Sequence, residues 1–264
     1  MNFKQWTKSS FSKSASTYNN IAELQFKIAD ILVSMLDKSK CVLRILDVGT
    51  GTGYLIDKLQ YTFPNAKIYA VDLAFGMVKI SSAKKHINRT SFVQADAEFL
   101  PYKNDMFDIL ISNSVYQWME NYSRGISELY RVIKPEGKFL FSMFGGETLC
   151  ELGSSFIEAH NIIGTQHPSS HCLSFVDEGK LVGLLNRFRC VNVGGITQRI
   201  YYDNVMNLLT YLRSIGSHNH LYSSRDGLGN RRLMNKMKEV YTKKYSRNNK
   251  IFATYDILIA QGQK

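Results

Sequence analysis

The stretch Asp47-Val48-Gly49-Thr50-Gly51-Thr52-Gly53 constrains this chain more than any other. It follows an apolar run, Val42 to Val48, and leads into a helical pattern that reaches Gln60. Glycines at alternate positions allow a tight turn and let the backbone approach a ligand with no Cβ in the way. The helix beyond the turn offers free N–H groups, so a nucleotide-like ligand belongs there.

The rest of the chain supplies the context that such a turn needs. AKIYAVDL, a helix near Met77 to Lys85, TSFVQADA, FDILISN, a helix from Tyr122 to Ile133 and GKFLFSMFG follow in order. Short apolar strands alternating with helices predict a parallel sheet covered on both faces. Ahead of the first strand, Leu24, Ile28, Ile31 and Met35 repeat at helical spacing, which predicts an amphipathic helix over Glu23 to Leu36. Polar residues then fall at successive strand ends. Asp72 ends the second strand, where a carboxylate can hydrogen-bond both hydroxyls of a ribose, and Asp96-Ala97 ends the third, where a carboxylate can accept from an exocyclic amine. Asn113 ends the fourth. Together with the glycine turn they point to one cleft.

Composition narrows the class. With 264 residues and 44% hydrophobic side chains the chain can bury one substantial core. No apolar run approaches the roughly 20 residues that cross a bilayer, and the first residues lack the apolar stretch of a secretory signal, so a cytoplasmic protein without a membrane partner is expected. Cys41, Cys150, Cys172 and Cys190 show neither metal-ligand spacing nor a disulfide framework; reduced, mostly buried thiols and no metal are expected. The net charge of +11 is uneven, for residues 201–264 carry 11 Lys or Arg against 4 Asp or Glu, and residues 1–40 carry 6 against 3. Basic chain ends suit an acidic macromolecular partner, a nucleic acid or an acidic protein.

The segments DVGTGTGYL, AVDLAFGM, QADAEFLPYKNDMFDILISN and ELYRVIKPEGKFLFS resemble the class I methyltransferases of the small-molecule type. That resemblance implies S-adenosyl-L-methionine as cofactor. It places Asp47, Gly49, Thr50, Gly51 and Gly53 by the methionine part, Asp72 on the ribose with Leu73 and Met77 beside it, and Asp96, Ala97 and Glu98 along the adenine, with Asn113 completing the set. It also implies a Rossmann-like α/β fold with a mostly parallel sheet, a C-terminal antiparallel strand, an N-terminal helix and a helical lid. The expected organisation is one domain over 1–264, with an N-terminal extension over 1–40, a cofactor half over 41–144, an acceptor and lid region over 145–250 and a last strand over 251–264.

FSKSASTYNNIAELQ, NSVYQWMEN, FGGETLCEL, LRSIGSHNH and ATYDILIA carry the resemblance further, to the malonyl-[acyl-carrier protein] O-methyltransferases that begin pimeloyl synthesis for biotin. Tyr18 with Ala22 and Gln25, and Gln117-Trp118, are the more particular marks of that family, and Tyr18, Gln25, Gln117 and Trp118 are expected on the acceptor side. The implied reaction moves a methyl group from a sulfonium to the free carboxylate of a malonyl thioester, on acyl-carrier protein or on coenzyme A. Such a carboxylate ordinarily titrates near about pH 4 and is already ionised at neutral pH. No catalytic base is therefore expected, and alignment carries the rate. Arg199, Arg213 and His218 are the residues named to orient the acceptor. Family members often have Arg before the Phe corresponding to Phe175, whereas this chain reads Cys172-Leu173-Ser174-Phe175. Arg225, Arg231, Arg232, Lys236 and Lys238 form a cationic stretch able to steer an acidic carrier protein.

Two other readings share some of these features. Mitochondrial complex I assembly factors, some of them thought to act on protein arginine, share the GG-x-TL-x-EL and ATY segments, but FSKSASTY speaks against that group. The pI of about 9.4 suggests a nucleic-acid methyltransferase. Against it, Asn113-Ser114-Val115-Tyr116 is not the Asn/Asp-Pro-Pro-aromatic signature of amino-group methylation, and no appended nucleic-acid module is seen.

Overall fold

The structure, a computed structural model, describes residues 3–38, 43–84, 89–165, 175–216 and 227–264. The expected element ends Val42 and Lys85 lie outside them, as do Cys41, Cys172, Leu173, Ser174, His218 and Arg225.

Two helices precede the sheet, α1 (Phe3–Ser14) and α2 (Glu23–Ser34). The buried face of α2 consists of Leu24, Gln25, Ile28, Ala29 and Leu32. Ile31 and Met35, expected on that face, are 37% and 40% exposed. At about 100° per residue the five buried positions centre the contact face roughly 90° from Ile31, which falls on the rim, and Met35 caps the helix end.

The first half of the chain then runs β1 (Arg44–Val48), α3 (Tyr54–Thr62), β2 (Lys67–Asp72), α4 (Phe75–Ser82), β3 (Thr90–Gln94), β4 (Phe107–Asn113), α5 (Tyr122–Val132) and β5 (Ile133–Phe144). β1 pairs in parallel with β2 and with β4, in the register Ile45↔Ile68 and Ile45↔Ile109. Ile45, Leu46, Ile68, Leu110 and Ile111 are all completely buried, each contributing about 1.5–3 kcal/mol of transfer free energy. Runs such as RILDV and FDILISN are apolar without alternation because both faces of these strands are covered.

After β5 come α6 (Cys150–Ile163), α7 (Glu178–Leu184), β6 (Arg189–Tyr202), α8 (Val205–Ser214), α9 (Gly227–Lys244), β7 (Ser246–Arg247) and β8 (Lys250–Gln263). The sheet order is β3-β2-β1-β4-β5-β8-β6, with β7 pairing antiparallel to β8. Asn248 and Asn249 join that last hairpin with φ of 49° and 60°. A two-residue connection with both residues left-handed is the turn whose twist suits a hairpin, and Asn tolerates it better than most residues. The parallel α/β sheet with its antiparallel end is the architecture that the sequence implies.

The chain divides into two compact units. The first holds Met1–Met143, Glu178–Gly194 and Leu258–Lys264, the second Phe144–Asp177 and Gly195–Ile257. Within the second, Glu151 of α6 is buried and its carboxylate accepts from the Thr254 N–H at 3.0 Å and from the Thr254 hydroxyl. Thr148 Oγ1 donates to the Asp256 carbonyl at 2.9 Å. GGETLCEL and ATYD thus hold one another. No helix among the described residues is long and apolar enough to cross a membrane.

One expectation is corrected here. Cys150 and Cys190 are free but exposed, not buried, because Cys150 opens α6 and Cys190 sits on the largely solvent-facing β6. Partial burial and the neighbouring Glu151 and Glu147 carboxylates push the Cys150 thiol up to about 11, which leaves it an unreactive thiol at neutral pH.

Candidate functional site

Strand order reverses at β1, with β2 and β3 on one side and β4 and β5 on the other. Segments leaving the carboxyl ends of β1 and β4 diverge, and a crevice opens between them. Gly49 and Thr50 donate back to the Val71 carbonyl at 2.8 and 2.9 Å, which turns the chain sharply out of the sheet. Gly49, Gly51 and Gly53 have φ of 72°, 55° and 81°. A Cβ on Gly49 would stand 2.0 Å from Val115 Cγ2, whereas one on Gly51 would meet nothing within 4 Å. The first glycine serves packing, and the second leaves open space.

That space is a cleft open to solvent. Gly49, Gly51, Asp72, Leu73 and Met77 line one side of it, and Asp96, Ala97, Glu98 and Asn113 another, with Tyr18 and Trp118 also at the wall. Residues predicted from four strand ends are brought together. Asp47, Thr50 and Gly53 are not in the lining. Asp47 is fully buried, and its two carboxylate oxygens and the Thr50 hydroxyl form no hydrogen bond of ordinary geometry. Burial pushes Asp47 up to about 7; the nearby Thr50 hydroxyl opposes the shift and the Asp72 charge adds to it.

Asp72 accepts from Gly51 N and Ala74 N, both at 2.8 Å. Burial raises it to about 6 against the pull of those two donors. With two of about four acceptor directions used, its carboxylate keeps capacity for a pair of hydroxyls. Tyr18 is also raised, by burial and then by the Asp72 charge, and stays a neutral phenol.

The wall after β3 is fixed from two directions. Asp96 Oδ1 accepts from Glu98 N at 2.9 Å, and Lys4 of α1 reaches Asp96 Oδ2 at 2.5 Å and Glu98 Oε1 at 2.8 Å. Burial works against the Lys4 charge, but the two carboxylates hold its pKa above the usual value. From the other direction, Arg131 of α5 binds the carbonyls of Leu100 and Tyr102, while Glu128 accepts from Leu100 N. The ELYR segment therefore shapes the loop that carries Asp96 to Glu98.

Asn113 donates to the Gln25 carbonyl at 2.8 Å and accepts from Ser142 Oγ at 2.8 Å. Gln117 donates to the Ser114 carbonyl at 2.8 Å. The side-chain oxygens of Gln25 and Gln117 are buried and have no hydrogen-bond partner. Trp118 takes Phe3 and Phe11 of α1 against its ring, at centroid distances of 6.4 and 5.3 Å. Arg199 and Arg213 belong to the second unit; Arg199 lies over the Phe252 ring at 5.0 Å. His218 lies outside the described residues.

Lys4, Thr7 and Phe11 also line the cleft; Phe11 opens the FSKSASTYNNIAELQ segment, while no motif marks Lys4 and Thr7. Their spacings of three and four place them on one helical face, a signal muted in a segment otherwise rich in Ser and Lys. Ser114, Val115 and Met119 line it as well, with Val48, Val71 and Ala95.

A crevice at this switch point, with acceptors at the ends of β2 and β3, fits a nucleoside-bearing cofactor. The fold and cleft are those of a Rossmann-like methyltransferase, and the methyltransferase domain family matches residues 46–141. The fold is shared with the YcgJ protein of Bacillus subtilis (TM-score 0.63, 17% identity, 89% of this chain and 97% of that one). It is shared too with a phosphoethanolamine N-methyltransferase of Haemonchus contortus in complex with S-adenosyl-L-methionine (TM-score 0.61, 16% identity, 99% of this chain and 60% of that one). The malonyl-[acyl-carrier protein] O-methyltransferase of Geobacter sulfurreducens is 31% identical over 97% of both chains. This chain belongs to the malonyl-[acyl-carrier protein] O-methyltransferase family.

Proposed function

We propose that the protein transfers the methyl group of S-adenosyl-L-methionine to the free carboxylate of a malonyl thioester on acyl-carrier protein, in the cytoplasm, at the start of pimeloyl synthesis for biotin. One observation carries the reading: Gly51, Asp72, Asp96 and Asn113 face one cleft in a chain 31% identical, over nearly its whole length, to a protein named for that activity.

The bound cofactor supplies an electrophilic methyl group on a sulfonium. Asp72 is suited to the ribose hydroxyls, since Gly51 N and Ala74 N orient its carboxylate. Asp96 is suited to the adenine amine, since Lys4 and Glu98 N hold it in place. Asp47 is buried behind the turn, outside the cleft lining, and takes no part in the transfer. The acceptor is a carboxylate that is ionised at neutral pH, so no group of the chain need act as a base. What the chain supplies is alignment and the exclusion of water; effective molarities for well-oriented reactions correspond to about 7–11 kcal/mol of barrier. Tyr18 and Trp118 line the cleft and supply apolar wall there, whereas Gln25 and Gln117, proposed for the acceptor side, are buried outside its lining. Arg199 and Arg213 are the cations proposed to orient the acceptor, by the fork geometry that suits a carboxylate.

The test is mass spectrometry of the protein with S-adenosyl-L-methionine and malonyl-loaded acyl-carrier protein. A gain of one methyl group on the malonyl arm, absent from the acetyl-loaded carrier, is expected. No gain while the cofactor still binds would reject the acceptor.

A further inference from the structure

Helix α9 carries six cations, Arg231, Arg232, Lys236, Lys238, Lys243 and Lys244, against one acid, Glu239. Its apolar stripe of Leu233, Met237, Val240 and Tyr241 is buried, and α6 is the helix it packs against most. At about 100° per residue, Arg231, Arg232, Lys238 and Lys243 fall together on the opposite side. Lys236 is tied to Glu239 at 2.5 Å and Lys244 to Glu158. The other four have no ion-pair partner among the described residues, and Arg231, Arg232 and Lys243 are exposed.

Two of these positions gain nothing from the helix itself. Lys243 and Lys244 in the last turn suit the negative end of the helix dipole, but Arg231 and Arg232 lie in its second turn, behind a first turn with no acid. Arg232 and Lys236 form a like-charged pair at a spacing of four, which is mildly destabilising. Helix stability gives no reason for this arrangement, whereas binding of an anionic surface does. The face is convex, as helix exteriors are, and offers no cleft for a small anion. A protein with an acidic helix or loop matches it.

We infer that the exposed face of α9, centred on Arg231, Arg232 and Lys238, is the docking surface for the acidic carrier protein. The inference rests on the acceptor reading above, for that reading supplies an acidic protein as partner. Opposed charges across a rim accelerate encounter and weaken with salt, and they leave the chemical step alone.

Calorimetric titration of the full chain with acyl-carrier protein bearing its phosphopantetheine arm tests this without any methyl transfer. Binding by the unaltered protein should weaken as salt rises. R231E/R232E should raise Kd by roughly tenfold or more, while K38E/K103E, an equal change of net charge in the first unit, should leave it within about twofold. R231Q/R232Q, with thermal unfolding at least as high as the parent, should also weaken binding and so excludes a folding defect. Equal Kd for R231E/R232E and the parent, or equal losses in both glutamate pairs, overturns the docking surface. Carrier binding that depends on Arg231 and Arg232 without malonyl methylation sustains the surface and removes the acceptor reading. Methylation of both malonyl-coenzyme A and the carrier form, with Kd unaffected by R231E/R232E, does the reverse.

Discussion

Lys4 Nζ lies 2.5 Å from Asp96 Oδ2, which ties α1 to the loop after β3. The same amine meets Glu98 Oε1 at 2.8 Å, and the Glu98 side chain is only 3% exposed. Ser12 Oγ accepts from Gly76 N at 3.2 Å farther along the helix, where a Cβ on Gly76 would strike the Ser12 carbonyl at 2.4 Å. The first helix is therefore part of the cleft's wall.

Replacing Lys4 by Met keeps most of the apolar stem and removes the charge. Two carboxylates, one of them buried, then face each other without a cation. Removing one partner of a fully buried pair costs about 3–5 kcal/mol, and the partial exposure of Lys4 and Asp96 reduces that to about 1–2 kcal/mol. Thermal unfolding of K4M should fall by roughly 3–6 °C, and K4R should recover part of it. An unchanged Tm would mean that the Lys4 ion pairs add nothing to the hold of Phe3 and Phe11 on Trp118 and of Ser12 on Gly76.

Stability should depend on pH through the two buried carboxylates. Asp47 is pushed up to about 7 and Asp72 to about 6, chiefly by burial, while both titrate near pH 4 in the unfolded chain. Between those limits the folded state holds more protons than the unfolded one. Their contribution is thus complete below about pH 4 and is lost as pH rises through about 6 to 7. D47N removes one of the two groups. Urea unfolding of parent and D47N at about pH 5 and pH 8 should show the difference moving in favour of D47N at the higher pH. The slope is about 1.4 kcal/mol for each pH unit over which Asp47 titrates in one state only. A difference independent of pH would show that Asp47 is already ionised in the fold.

Local pattern carried much of this site. FDILISN is β4 from Phe107 to Asn113, and Asp72 ends β2 as read, because strands buried on both faces announce themselves as continuous apolar runs. Two parts were hidden for physical reasons. α1 is rich in Ser and Lys, and its role depends on a pairing with Asp96 across a large sequence separation, which no local periodicity encodes. β6, RCVNVGGITQRIYY, is largely solvent-facing, so it lacks the apolar run that marks the central strands. The mutual hold of Glu151 and Thr254 explains why GGETLCEL and ATYD both stand out although neither lines the cleft. Their constraint is a buried carboxylate and the groups that satisfy it.

The glycine turn separates packing from ligand contact, because its first two glycines face different surroundings. Both have left-handed φ, so alanine at either costs about 1–2 kcal/mol of backbone strain. At Gly49 the added methyl would also collide with Val115 Cγ2 at 2.0 Å, so β1 and the segment after β4 must separate. G49A should lose roughly 1–3 kcal/mol more, the cost of overpacking a filled site, and cofactor binding should be lost along with the turn. At Gly51 the methyl enters open space in the cleft. G51A should stay folded, with Tm down by only a few degrees, yet bind S-adenosyl-L-methionine at least tenfold more weakly because the methyl occupies room that the ligand needs. Differential scanning fluorimetry with and without the cofactor, beside calorimetric titration, separates the two effects. If G51A bound the cofactor as the parent does, the ligand would not approach Gly51, and the methionine part would have to sit elsewhere in the cleft.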